Sequence, residues 1–146
     1  MDIRVMNIQD YDQVYALWMS CKNMGFNNLD DSREGIVKLL RRNPNTSFVA
    51  MDGDNLAGVI LSGQDGRRGY IYHMSVSEAY RRQGVGSLLV ERCLAALKAE
   101  GINKVALLVF NRNEAGNGFW EAQGFTVRSD VTYRNKELTK LIRIDT

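Results

Sequence analysis

A chain of 146 residues with 45% apolar and 25% charged residues can bury one ordinary globular core, and its composition is neither that of a disordered nor of a fibrous protein. The formal net charge is only +2 and the basic residues come in pairs, Arg41-Arg42 and Arg81-Arg82, so no nucleic-acid partner is expected. One histidine, His73, and two distant cysteines, Cys21 and Cys93, offer neither a metal site nor a disulfide framework; with no signal segment and no bilayer-length apolar run, a single cytoplasmic domain over residues 1–146 with no membrane partner is expected.

Ile3 to Met6 reads as a first strand, with Asn7 as a cap and Asp10 in the turn that follows. Val14, Leu17, Trp18 and Cys21 recur at helical spacing and predict an amphipathic helix. Turn formers fill residues 23–32, and a second helix follows from Ser32 to Arg42, with Ile36, Leu39 and Leu40 on one face and Pro44 closing it. Strands over Ser47–Met51 and Leu56–Ser62 are joined by Asp52-Gly53-Asp54-Asn55, a hairpin signal. A second turn, Gln64 to Gly69, leads into a strand from Tyr70 to Val76, which completes an antiparallel meander.

Directly after that strand comes Arg81-Arg82-Gln83-Gly84-Val85-Gly86-Ser87, opening a long apolar helix that Gly101 ends. Glycine at 84 and 86 opens backbone dihedrals closed to other residues and lets a ligand approach the main chain. The helix beginning there presents unpaired N–H groups and a positive dipole end, so the turn reads as a phosphate site with Arg81 and Arg82 at its mouth. A Walker loop, G-x-x-x-x-G-K-S/T, does not match, and a dinucleotide fingerprint fails because Leu89 stands where its third glycine belongs. Lys104 to Phe110 is a nearly continuous apolar run, expected as a strand parallel to Tyr70–Val76. A short helix over Asn113–Gln123, a strand over Phe125–Arg128 and an edge strand over Leu138–Ile144 complete the chain. An edge hairpin of this kind invites a homodimer by strand pairing.

The spelling R-x-x-G-x-G between strand and helix resembles the acyl-CoA pyrophosphate loop of the GCN5-related N-acetyltransferase (GNAT) superfamily. A second motif, Asn113-x-x-Gly116-x-x-Phe119-Trp120-x-x-x-Gly124-Phe125, resembles that superfamily's N-x-x-A-x-x-F-Y-x-x-x-G-F at matching spacing. Gly116 replaces the usual alanine, and Trp120 stands where many members place a tyrosine. The tail Tyr133-Arg134-Asn135-Lys136 suggests a bacterial branch. The resemblance covers essentially the whole chain. It implies an α/β fold (α+β in some schemes) with a mixed central sheet of about seven strands and four helices.

The resemblance also implies acetyl-CoA as co-substrate and direct transfer of its acetyl group to a primary amine, which is a small amine, an amino acid or a protein amine. Met74, Ser75 and Val76 would offer backbone groups to the pantetheine arm. Amides around Arg81, Arg82, Gln83, Gly84, Val85, Gly86 and Ser87 would hold the pyrophosphate, and Asn113 and Trp120 would line the far side. A backbone donor near Met74 would steady the oxyanion. On the acceptor side, Tyr70 and Tyr72 would wall the pocket, with Tyr72 and Tyr133 as catalytic candidates. Asn28, Asp30 and Asp31 in the first interhelix loop would meet a cationic amine, or serve as turn formers and helix caps. Trp120 cannot protonate a departing thiolate, which leaves Tyr133 or solvent for that task. Histidine is the side chain most often used as a base in catalysis, which makes His73 a candidate. Strand alternation turns it away from Tyr70 and Tyr72 unless a bulge intervenes, so it reads first as a buried structural histidine and second as a base. The missing tyrosine at 120 also motivates an alternative: a CoA-binding sensor module without turnover.

Overall fold

The computed structural model describes residues 1–145. Four strands, β1 (Asp2–Val5), β2 (Phe48–Asp52), β3 (Asn55–Gln64) and β4 (Gly69–Val76), form an antiparallel meander. A fifth, β5 (Val105–Leu107), joins β4 in parallel, giving the order β1-β2-β3-β4-β5. Helices α1 (Tyr11–Ser20) and α2 (Arg33–Arg42) connect β1 to β2, α3 (Val85–Ala99) crosses from β4 to β5, and α4 (Glu114–Ala122) follows. Such a crossover is what two adjacent parallel strands require.

Local signals explain most boundaries. Asn7 and Asp10 form a reciprocal capping box on a short 3-10 turn, and Arg4 clamps Asp10 through both oxygens at 2.9 and 2.7 Å. Ser32 caps α2 by accepting from the Gly35 amide, and Gly53 takes φ +61° in the β2–β3 hairpin.

Alternation along the strands then sorts apolar residues to two faces of the sheet. One face, with Val49, Val59 and Leu61, packs beneath Val14 and Trp18 of α1, Phe26 of the following loop and Ile36 of α2. The other, with Ala50, Ile60 and Ile71, packs against Val85, Leu89, Cys93 and Leu97 of α3. Helices thus cover both faces of one sheet.

Three expectations are corrected. The sheet has five strands rather than about seven. The apolar run from Lys104 to Phe110 pairs only over Val105–Leu107, because β4 and β5 diverge beyond Ile71. Residues 125–128 and 138–144 form no strand: the terminal segment makes only an isolated bridge, Asn27 to Arg143. The edge hairpin on which pairing between copies was expected is therefore absent from the described residues.

What holds that segment is a carboxylate. Asp145 accepts from the amides of Met24, Gly25 and Phe26 at 3.2, 3.0 and 2.8 Å, and Asn28 exchanges bonds with the main chain of Ile142. The tail is tied to the loop between α1 and α2, at the mouth of the cleft described next.

Candidate active site

The turn entering α3 is built to leave its amides free. Arg82 and Gly84 take φ +63° and +79°, and six consecutive N–H groups, from Arg82 to Ser87, have no backbone acceptor among the described residues. The next, Leu88, bonds the Gly84 carbonyl at 3.1 Å and starts the regular ladder. Left-handed residues interleaved with ordinary ones turn successive amides inward as a nest, and the 15-residue α3 adds its dipole. Arg81, Arg82 and Gln83 are exposed beside it, while Val85 is anchored in the core beneath α3.

The two glycines have different tasks. Nothing lies within 4 Å of a methyl placed on Gly84, so conformation alone accounts for it. Gly86 has no positive φ; a methyl there would meet Cε1 of Phe119 at 3.1 Å. Gly86 lets α4 close on α3, so the special dihedrals expected of both glycines are needed at Gly84 alone of the two. Gln123, just past the end of α4, donates to the Ser87 hydroxyl at 2.9 Å.

Beside this nest the sheet opens. Leu61 of β3 pairs with His73, but Ser62 pairs with Ile71, so Tyr72 is an extra residue and β4 carries a bulge there. Beyond the bulge β4 has no strand partner on its β5 side, and a cleft of about 130 Å³ separates the two strands. Ile71 to Met74 form one wall and Leu107 to Val109 the other, with Asn113, Phe119 and Trp120 from α4 at its base. Met74, Ser75 and Val76 pair with β3 along one edge, and their other edge faces this gap. Asn113 caps α4 through the Gly116 amide at 2.9 Å. A methyl at 116 would collide with Asn113 Nδ2, so glycine suits the residue's departure from alanine here. Trp120 stands edge-on to Phe119 and Phe125, at 5.0 and 5.1 Å.

On the far side of the cleft, the rings of Tyr70 and Tyr72 lie 5.1 Å apart. Burial, reinforced by Tyr133 and Tyr72, pushes the Tyr70 phenol up to about 12; burial likewise raises Tyr72, helped by Asp65 and Asp30. Both phenols therefore stay protonated at neutral pH. Tyr133 is exposed but close enough to Tyr70 to bear on it.

The loop residues divide. Asp30 is exposed toward Tyr72, held by the Asn27 side chain at 3.1 Å. Asp31 points inward: it is 3% exposed, one oxygen accepts from the Asn27 amide, and the other meets His73 Nε2, each at 2.8 Å. Asn28 is spent on Ile142. Of the three loop residues expected at the acceptor, only Asp30 is free to meet it.

The bulge also reverses the expected direction of His73. Its ring lies on the α1 face, against Phe26 and Trp18 at 4.4 and 5.5 Å, while lining the cleft. Sequence reasoning missed this His73–Asp31 pair, and it missed the Asp145 clamp; both join residues far apart in the chain with no shared motif.

The fold is thus a mixed sheet that splits beside a nest of free amides. Ard1 from Thermoplasma volcanium shares it with a TM-score of 0.78 at 23% identity, covering 88% of this chain and 84% of that one. AAC(6')-Iy in complex with the bisubstrate analog CoA-S-monomethyl-acetylneamine gives 0.74 at 18% identity, over 93% and 97%. In sequence, an acetyltransferase of Sodalis glossinidius (strain morsitans) is 30% identical over 138 residues, 94% of this chain and 96% of the relative. The acetyltransferase (GNAT) family profile matches residues 11–125, and the chain belongs to that family.

Proposed function

We propose that this protein is an acetyl-CoA-dependent N-acetyltransferase that moves the acetyl group to a primary amine by direct attack. The observation that carries the reading is the row of six unpartnered amides from Arg82 to Ser87 at the end of a cleft between diverging parallel strands. A diphosphate satisfies such a nest, and an extended arm such as pantetheine can hydrogen-bond the unpaired edge of Met74–Val76 as an added strand would. Arg81 and Arg82 add charge at the loop, and Asn113 and Trp120 bound the arm's other side.

The acceptor enters from the Tyr70–Tyr72 side, where Asp30 and Asp65 favour a cation. Protonated phenols are hydrogen-bond donors and orienters rather than bases, so Tyr72 positions the amine and Tyr133 supplies a proton to the departing thiolate. Positioning supplies most of the acceleration, because a thioester is already reactive toward a free amine.

Thiol release from acetyl-CoA with a panel of neamine, benzylamine, lysine and a peptide with a free N-terminus tests this reading; at least one amine is expected to stimulate release well above hydrolysis. A second reading, a CoA-binding sensor without turnover, draws on Trp120 in place of a proton-donating tyrosine. Tight CoA binding with no thiol release across the panel favours it.

A further inference from the structure

Building on the acetyltransferase reading, we infer that His73, held by Asp31, is the general base that takes the proton from the attacking amine. Two observations carry this. The bulge at Tyr72 brings His73 onto the Tyr70 face, where it lines the cleft between β4 and β5. There Nε2 is 2.8 Å from Asp31 Oδ1, and Nδ1 is a buried polar atom with no hydrogen-bond partner among the described residues.

A purely structural histidine ordinarily has both nitrogens satisfied. Here one is spent and one is not. The carboxylate of Asp31 accepts the Nε2 proton, which fixes the neutral tautomer and leaves the lone pair on Nδ1. Asp31 is itself held by the Asn27 amide, and its backbone carbonyl accepts from the Tyr11 hydroxyl at 2.8 Å. When Nδ1 gains a proton, the imidazolium faces a carboxylate already in place, as a catalytic imidazole does in hydrolase triads but with the two ring nitrogens exchanged.

The groups facing His73 are few. Phe26 from the loop and Trp18 from α1 are apolar faces, Tyr72 and Ser75 flank it on β4, and Asp31 is the charged group in direct contact. The raised phenols of Tyr70 and Tyr72 are not bases, and the carboxylate of Asp30 is exposed and held by Asn27 rather than seated in the cleft.

In the step itself the amine nitrogen bonds the acetyl carbonyl carbon and the C–S bond breaks. The amine proton passes to His73 Nδ1, directly or through one water, and later to solvent. The thiolate takes its proton from Tyr133 or water, so amine and acetyl-CoA become amide and CoA thiol.

Because His73 is the only histidine, nitrogen NMR of the histidine-labelled full chain reports one imidazole. For the neutral ring the expected result is a proton on Nε2 and a bare Nδ1. With acetyl-CoA and the fastest amine of the panel, His73→Gln is expected to lower kcat at least tenfold while KM for acetyl-CoA stays within about twofold. Only the acid limb belonging to the amine itself should remain. Asp31→Asn, which keeps shape and loses charge, should shift the limb that His73→Gln removes and serves if His73→Gln does not fold. A ring protonated on Nδ1, or a folded His73→Gln enzyme retaining more than a tenth of kcat, overturns the assignment. A wild-type protein that binds no CoA overturns the acetyltransferase reading and this assignment together, whereas retained activity in His73→Gln sinks only the latter.

Discussion

Phe119 occupies the space that a side chain on Gly86 would need, its Cε1 lying 3.1 Å from where a methyl would stand. That contact sets the approach of α4 to α3 and so the depth of the cleft beneath Trp120. Replacing glycine by alanine inside a helix gains about 1 kcal/mol, which offsets a contact only slightly too tight. Gly86→Ala is therefore expected to be near neutral in stability. Gly86→Val overfills the site and should cost about 1–3 kcal/mol, read by urea denaturation.

The tyrosines are tested kinetically. Tyr133→Phe and Tyr72→Phe are each expected to lower kcat about a hundredfold with KM for acetyl-CoA unchanged, the lower end of what a positioned proton donor contributes. The pH–rate profiles of both variants check this, and profiles matching wild type in both would remove the two hydroxyls from the mechanism.

Much of this arrangement is legible from local pattern. Helical spacing of Val14, Leu17 and Trp18, the Asn7 cap and the glycine loop each act within a few residues, and each predicts its element. What escapes is set by distant partners. The bulge at Tyr72 changes no residue type, so counting alternation from Tyr70 turns His73 the wrong way. Asp31 reads as a polar loop residue because its partner is 42 positions away. The alternation from Leu138 to Ile144 has the look of a strand, yet its long-range main-chain bonds reach only the main chain and Asn28 side chain of the 26–28 loop and it finds no continuous edge to pair with.

Asp145 gives the clearest stability prediction. Burial alone would raise its carboxyl, but the amides of Gly25, Phe26 and Met24, with Arg143, outweigh burial and hold it below the ordinary range. A depressed acid contributes stability above its unfolded value and loses it as pH falls through the folded one. Asp145→Asn should cost about 2–3 kcal/mol at neutral pH, given the strength of bonds to a charged acceptor. Denaturation at pH 7 and pH 3 should show the gap between variant and wild type closing in acid.

At the alkaline end, burial pushes the Cys93 thiol up to about 11 and the Tyr70 phenol to about 12. Each group keeps its proton more tightly when folded, so its contribution is complete below the unfolded value and is lost as pH rises through the folded one. Stability should therefore decline from about pH 9 upward, where an unfolded thiol begins to ionise. Tyr70→Phe is expected to flatten the steepest part above pH 10 in a series of thermal melts.

The main-chain nest at Gly84 is the claim on which the rest stands, and isothermal calorimetry of CoA against wild type and Gly84→Ala tests it directly. Forcing a side chain into the left-handed conformation costs about 1–2 kcal/mol and turns the amides out of register. Wild type should bind CoA at one site, and the folded variant should bind it about tenfold more weakly, equivalent to about 1.4 kcal/mol. A well-folded wild-type protein that gives no heat with CoA, or a Gly84→Ala variant that binds it as tightly, would contradict the account.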